Sequence, residues 1–596
     1  MNRSQQKKAA WFWRQPTWLH QRQPHRLRQW RHPLAALVLL IALVFTAVGL
    51  AQARQQGQEE GSDGYVIAGQ LLDSQGQPVV EALVTAKMPA EDEPLTETES
   101  QEDGNWALIT EGEPQAGLAV IVQRPHFQTE ILELSPNDLA ELRVTGTFGF
   151  GEIILQRQIT AGFWAATLIF VAVLLIIAFE KLHSTTAALV GLSAVFLVSF
   201  IGVAFWPDLF IFNFDRALTY INWEVIFLVM AMMIVIAVIE ETGIFQWTAF
   251  QAYRMSGGRA WLLVLILMAV TAVASALLDN FTTMLLMAPI SLQIGLAIGI
   301  NPLALIIPEV LASNVGGIST LIGTPTNILI GAHANIGFTD FLVNQTVGVV
   351  AALVMMALFV LWHYRAEWRK QSGGISPALY QMLEENARIE HPNQLRKSAI
   401  IFVLIITGFV VGEQFHVVPA VPALIGATAL LVWLKPDIHR MITAVDWTTL
   451  VFFMALFMVV GAVQEVGTIS FIAEMISRIV GDSLVMAIFV MVFGVGTLST
   501  VIANIPLAAS MLPVADFLSL SIPGAQTKVL YYALSMGAAM GGNGTIVGAE
   551  ANLVTAGITE QAGRPISFVA FLKVGLPVTY LTLIIGFLWL LVRFVL

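Results

Sequence analysis

The sequence predicts an all-α polytopic membrane protein with inverted structural repeats, re-entrant hairpins and broken helices, joined to a small extracytoplasmic β-sandwich. Three observations predict it. The 596-residue chain is 56% hydrophobic and only 12% charged, too apolar for a soluble globule and too long for a single span. Two stretches repeat at a constant offset of 224: Trp223 matches Trp447, Glu241 and Gly243 match Glu465 and Gly467, Arg254 matches Arg478, Asn280 matches Asn504 and Pro289 matches Pro513. One residue of slippage later, GGISTLIGTPTN (316–327) overlies GGNGTIVGAEAN (541–552). The third observation is an acidic segment with strand-like alternation near the amino terminus.

Taken in order, residues 1–32 hold eight Lys/Arg and no acid, a basic cytoplasmic terminus under the positive-inside rule. The apolar run at 33–53 is long enough to cross a bilayer and ends in Ala51-Gln52-Ala53, so a retained anchor and a cleaved signal peptide are both open. Residues 54–158 carry 19 acidic against five basic side chains, a soluble domain outside the cytoplasm. Alternating stretches at 65–72, 82–86 and 106–109, punctuated by Asp73-Ser74-Gln75-Gly76 and Asp103-Gly104-Asn105, read as short strands and turns.

The remainder divides into a first repeat (159–362), a cytoplasmic loop (363–397) with six Lys/Arg, and a second repeat (398–596). Placing the basic connections inside makes the Trp223 helix run inward and the Trp447 helix outward. The repeats are therefore inverted, the arrangement of alternating-access transporters. Residues 54–158 then face outward from a multi-pass protein of the plasma or inner membrane.

Other classes are excluded. No Lys follows a Gly, so there is no phosphate loop; the ten His form no HExxH pair and there is no Cys. The chain is read as no enzyme, with no catalytic residue, no nucleic-acid partner and no cofactor beyond a coupling Na+ or H+. Its partners are the lipid bilayer and a small ion or carboxylate.

The chemistry concentrates where polar residues interrupt apolar helices. Asp279-Asn280-Phe281-Thr282 breaks the first such run; Asp279 and Asn280 suit capping of a re-entrant hairpin or ion binding. The second copy keeps Asn504 and loses the acid. Asn314 opens a Gly-rich run that closes on Thr324-Pro325-Thr326-Asn327. Pro325 removes a donor and frees a carbonyl, which can face a cation while the following helix start faces an anion. The matching loop carries Asn543, Asn552 and, in place of Pro325, Glu550. Ionisable groups at such depth are functional candidates by default, so Asp279 and Glu550 are read as coupling or proton residues. Asn280, Thr282, Asn314, Thr324, Pro325, Asn327, Asn504, Asn543 and Asn552 are the candidate substrate- or ion-binding residues, with Na+ near Asn280, Thr324, Asn504 and Asn543. Glu241 and Glu465 are read as structural.

These residues carry a resemblance. LLDNFTTMLLMAPI, IIPEVLASNVGGISTLIGTPTNILIG and MGGNGTIVGAEANLVTAG resemble the ion transporter superfamily, citrate-transporter-like, in particular the branch of arsenite permeases, D-type sodium/proton antiporters and the melanosomal P protein, with dicarboxylate/sodium symporters more distant. The resemblance covers residues 160–596. It implies paired re-entrant hairpins and broken helices in a homodimer. The helix starts and Asn/Thr side chains, which suit an oxyanion or carboxylate, and Asp279 and Glu550, which favour a cation or protons, are read as an anion-type permease for an inorganic oxyanion or carboxylate, coupled to H+ or Na+. A Na+/H+ antiporter is the close alternative, and a membrane-anchored ligand sensor the alternative from another class. Glu550 departs from the small residue of the family motif. GQLLDSQGQPVVEALVTA, QEDGNWALI and AVIVQRPHF resemble the carboxypeptidase-regulatory-like β-sandwich, which implies a non-catalytic cap.

Overall fold

The computed structural model describes residues 64–596, except 75, 89–93, 112–114, 116, 180, 370–379, 382–383, 386 and 390. The basic terminus at 1–32 and the anchor or signal segment at 33–53 lie outside the described residues.

Seven strands form the amino-terminal β domain: β1 (Gly64–Asp73), β2 (Leu83–Lys87), β3 (Thr96–Glu99), β4 (Asn105–Glu111), β5 (Ala119–Gln123), β6 (Glu130–Glu133) and β7 (Thr147–Leu155). A three-stranded sheet ordered β4-β1-β7 and a four-stranded antiparallel sheet ordered β3-β2-β5-β6 bury alternate residues of each against the other, around Ile67, Leu71, Val84, Trp106, Val120 and Val122. Helix α1 (Pro136–Thr145) links β6 to β7, with a reciprocal capping box between Ser135 and Asp138.

The membrane part opens with α2 (Ala161–Ala178) and α3 (Ser184–Phe196), then a short α4 (Phe214–Thr219), α5 (Trp223–Glu240), α6 (Ile244–Met255), α7 (Ala260–Leu277), α8 (Asn280–Ala297), α9 (Leu303–Gly316), α10 (Pro325–Ala334) and α11 (Phe338–His363). The second repeat supplies α12 (Pro392–Gly412), α13 (Ala420–Leu434), α14 (Ile438–Ala444), α15 (Trp447–Glu465), α16 (Thr468–Val480), α17 (Leu484–Phe489, continued to Ser499), α18 (Asn504–Ser521), α19 (Val529–Gly541), α20 (Glu550–Gln561) and α21 (Phe568–Phe594). Among the described residues nine helices are long and apolar enough to cross a membrane.

Length alone overcounts the crossings, because α7 and α8 form a hairpin. Beyond α8, the backbone N–H of Asn301 donates to Glu367 Oε1 at 3.0 Å; beside α7, the rings of Phe250 and Tyr253 of α6 pack at a tilt against Tyr380. Both open ends thus lie against the connection between the repeats, and the tip is Leu278-Asp279. The second hairpin, α17 and α18, has its open ends together where Leu484 lies beside Gly524.

The inversion is written in two ion pairs. Arg440, just ahead of α15, meets Glu241 at the end of α5 at 2.8 Å. Arg216, just ahead of α5, meets Glu465 at the end of α15 at 3.1 Å. Arg216 and Arg440 stand at the same offset of 224 as the two glutamates, so each repeat closes on the other. The same exchange governs packing: α3 lies on α15, and α13 on α5. The Glu465 pair sits at the face that carries the β domain, the Glu241 pair at the opposite face.

Candidate functional site

Two loops interrupt the broken helices in mirrored fashion. α9 ends in a 3-10 turn at Gly317–Ser319, and α10 begins after Thr324 (φ −144°, ψ 144°); α19 ends at Gly541 in an irregular turn and α20 begins after Ala549 (φ −145°, ψ 143°). The loop strands cross so closely that a Cβ on Gly317 would lie 2.5 Å from the Gly323 carbonyl, and one on Gly548 2.6 Å from that of Gly542. Glycine is required there by contact.

Each loop is stitched by its own Asn. Asn327 Nδ2 donates to the carbonyls of Ile318 at 3.0 Å and Thr320 at 2.8 Å; Asn552 Nδ2 donates to those of Gly542 at 2.8 Å and Thr545 at 2.9 Å. Each loop is also tied to its hairpin tip. Ser275 and Ser499 hydroxyls donate to the carbonyls of Ser313 and Ala538, and Thr320 and Thr545 hydroxyls to those of Ala276 and Thr500.

Where the repeats differ, polar groups converge. Asn280 Nδ2 donates to Asn314 Oδ1 at 2.7 Å, and Asn314 Nδ2 donates to Asn543 Oδ1 at 2.8 Å and Asn552 Oδ1 at 3.0 Å. Asn543 Nδ2 donates in turn to the Leu311 carbonyl at 3.2 Å. Four sequence-predicted residues therefore form one buried chain that links the first hairpin, α9 and the second loop. Asn504 is buried at the start of α18, but among the described residues it makes no side-chain bond to this chain, because Ala539 stands where the first repeat has Asn314. Thr324 caps α10 by accepting from Asn327 N at 3.1 Å.

Beside the network lies a cavity of about 30 Å³, lined by Asp279, Asp446, Thr449, Pro325 and Glu550 with an apolar wall of Met232, Met233 and Ile236. Asp279 is an N-cap: its carboxylate accepts from Thr282 N at 2.7 Å and Thr282 Oγ1 at 2.6 Å. Asp446 caps α15 in the same way, accepting from Thr449 Oγ1 at 2.6 Å. Glu550 differs from both. Among the described residues no hydrogen bond or cation meets it, and the start of α20 has no side-chain cap. The cavity is thus acid-lined, without a basic residue, and borders the end of α15 remote from the β domain.

Sequence reasoning did not find Asp446 as a cavity residue, nor Glu309, a wholly buried acid on α9. Glu309 is the sole ionisable residue of its helix, within the apolar stretch ahead of Ser313 and Asn314, and that was the available signal.

Glu465 has a larger role at the interface than its place at a helix end implied. Arg124 of the β domain meets Glu465 Oε1 at 2.5 Å, Tyr220 donates to Oε2, and Arg157 donates to the Glu465 backbone carbonyl at 3.2 Å. Arg216 also reaches Glu81 of the domain at 3.6 Å. His126 is held between the Ile211 carbonyl (3.0 Å) and Thr160 (3.3 Å); burial pushes its pKa below the ordinary 6.5, outweighing the Ile211 carbonyl and Glu465.

Comparison with known proteins places these features. Residues 174–537 match the family described as citrate transporter. A transporter of Mycobacterium tuberculosis described as uncharacterized is 35% identical over 430 residues, covering 72% of this chain and 98% of that protein. One from Synechocystis is 33% identical, over 70% of this chain and 94% of that protein. The human P protein is 32% identical over 520 residues, covering 74% of this chain and 60% of its own length. Among solved structures, the Alcanivorax borkumensis YdaH transporter aligns with a TM-score of 0.47 and 14% identity, over 72% of this chain and 98% of that one.

Proposed function

The chain belongs to the citrate transporter family, and we propose that it is a secondary active permease for a carboxylate or inorganic oxyanion, coupled to H+ or Na+. The observation that carries this reading is the unpartnered Glu550 at the uncapped start of α20, facing a cavity between the two repeats. The free amides of that helix start suit an anion. A carboxylate beside them without a countercharge suits a proton or cation that travels with the anion and neutralises it. With three acids and no base on the cavity wall, an anion needs such a companion.

The same acid-lined wall favours a second reading, exchange of Na+ for H+, in which the cation is itself the cargo. In either case the buried Asn chain holds the loops at fixed distance, and Na+ would bind near Asn280, Thr324, Asn504 and Asn543, exchanging at Asn280 and Asn543 for their amide hydrogen bonds. With basic loops inside, the β domain stands outside the plasma or inner membrane, and the cavity, bordering the remote face, opens toward the cytoplasm. The protein works as a homodimer.

Purified protein in liposomes tests this. Uptake of labelled citrate, sulfate or arsenite driven by an imposed pH or Na+ gradient, and abolished by an ionophore, is expected of the permease; Na+-driven proton movement without any anion is expected of the exchanger. Gradient-independent binding without flux would make the protein a sensor.

A further inference from the structure

Glu309 lies outside the cavity and outside the Asn chain. It is wholly buried on α9, and Thr271 of α7 and Ser291 of α8, equally buried, flank it from the two arms of the first hairpin. Thr271 Oγ1 donates to Glu309 Oε1 at 2.9 Å. Among the described residues Oε2 meets no hydrogen-bond partner in good geometry, and neither does the Ser291 hydroxyl, which lies close enough to the same carboxyl to act on it. An orphan acid oxygen beside an orphan hydroxyl is a rare arrangement in a packed interior.

No counterion explains it. α7 and α8 contain no ionisable side chain, and Glu309 is the only one on α9. The other helices packed on α9 carry Asp340 and His363 (α11), Tyr531 and Tyr532 (α19), Glu550 and Glu560 (α20), and Lys573, Tyr580 and Arg593 (α21). None of these acts on Glu309, whose polar surroundings are the two hydroxyls alone. An ionised carboxylate without a countercharge, with only two neutral hydroxyls near it, is strongly disfavoured in such a place. A neutral carboxyl needs one donor and one acceptor, and the seat supplies both: Thr271 for Oε1, and the Ser291 oxygen for a proton on Oε2.

We propose that Glu309 is a proton-binding site in its own right, separate from Glu550, formed where the two arms of the first hairpin close on α9. The second repeat has Leu534 at this position, so the site exists once per chain. Its occupancy is joined to the loops, because α9 runs on to Asn314, the centre of the Asn chain. Release of the proton requires a countercharge or water to enter between α8 and α9, so hairpin movement and deprotonation go together. This deepens the proton-coupled reading of transport, and it is tested without transport.

The test is infrared titration of the full-length protein in liposomes. A buried protonated carboxyl absorbs in the carbonyl-stretch region well separated from ionised carboxylates. The expected result is a band that persists to neutral pH in the wild type and in Glu550→Gln and is lost in Glu309→Gln. In Thr271→Val, which deletes only the donor to Oε1, the same band should shift to higher frequency. A full set of bands in folded Glu309→Gln, or no shift in Thr271→Val, would overturn the proposal. So would a band that Na+ abolishes at constant pH, which would make the seat a Na+ site. Gradient-driven flux is measured separately, so a failed permease reading leaves these spectra interpretable.

Discussion

Replacing Arg124 by Ala should loosen the β domain from the membrane part, and the size of the effect follows from the charges left behind. Glu465 and Arg124 side chains are 7% and 9% exposed. Stripping a buried acid of its sole partner costs about 3–5 kcal/mol. Here Glu465 keeps Arg216 at 3.1 Å and the Tyr220 hydroxyl, so the loss is that of one charge-assisted hydrogen bond, about 1.5–3 kcal/mol. At 1.4 kcal/mol per tenfold, docking weakens by roughly 10- to 150-fold. Glu465→Gln strands Arg124 and leaves Arg216 only Glu81 at 3.6 Å, and should cost more. Hydrogen exchange of β5, which leads into Arg124, and of the chain around Arg157, read against exchange of the sandwich core at Trp106, measures undocking apart from unfolding. Glu241→Gln is the internal control: it breaks the equivalent pair, but Arg440 is 68% exposed, and such pairs contribute about 0–1 kcal/mol. Unchanged exchange in Arg124→Ala, or an equal effect from Glu241→Gln, would refute the assignment of Glu465 as the anchor of the domain.

Docking should also weaken in acid. The pKa of His126 is lowered by burial, so the docked state binds the proton less well than the free domain; stability is full above the ordinary value of 6.5 and falls as pH drops through it toward the lowered one. In His126→Gln that acid-dependent part of the exchange profile should vanish. Asn314→Ala removes three buried hydrogen bonds and leaves Asn280 Nδ2 and the Oδ1 atoms of Asn543 and Asn552 without these partners, for a loss of about 3–5 kcal/mol in thermal or denaturant unfolding. Asn504→Ala, which breaks no such bond, should leave stability within about 1 kcal/mol while lowering ion or substrate binding measured by calorimetry. Glu550→Gln should flatten the pH dependence of liposome flux, whereas Asp279→Asn, which keeps a cap on α8, should lower stability more than it alters that profile.

How far the sequence could be read depended on whether a residue's role is repeated. The hairpins, the crossing loops and the paired Asn stitches were legible because an offset of 224, or 225 past the slippage, sets the two copies side by side, and Gly317/Gly542 or Asn327/Asn552 meet the same local need twice. The same offset holds for Arg216 and Arg440, but a basic residue before a helix reads as an ordinary flank until the inversion brings it to the other repeat's glutamate. The amide chain was legible as a set and not as a network, because Asn is donor and acceptor at once and composition cannot tell whether Asn280 faces a ligand or Asn314. The β domain could be read as a sandwich from its alternation, whereas its seat on Glu465 depends on Arg124 and Arg157, which lie at loop edges where charge is common.

The residues that escaped the symmetry are those at the chemistry. Glu309 faces Leu534 in the alignment of the repeats, Asn314 faces Ala539, Pro325 faces Glu550 and Asn222 faces Asp446. Two copies of a fold can share a scaffold only through residues that serve both orientations, so identity between them selects caps, crossings and interlocking pairs. A single gradient acting in one direction needs groups that differ between the halves, and the unpaired acids Glu309 and Glu550 fall in opposite repeats at different depths along their broken helices. A proton held on Glu309 bears on the first hairpin, and one on Glu550 bears on the cavity beside it. Exchanging the acids for their counterparts' residues therefore has unequal consequences: Glu550→Pro should restore the symmetry of the loops and abolish pH-dependent flux, while Glu309→Leu should leave the cavity intact and alter the pH at which the first hairpin moves, read as hydrogen exchange at the α7–α8 tip.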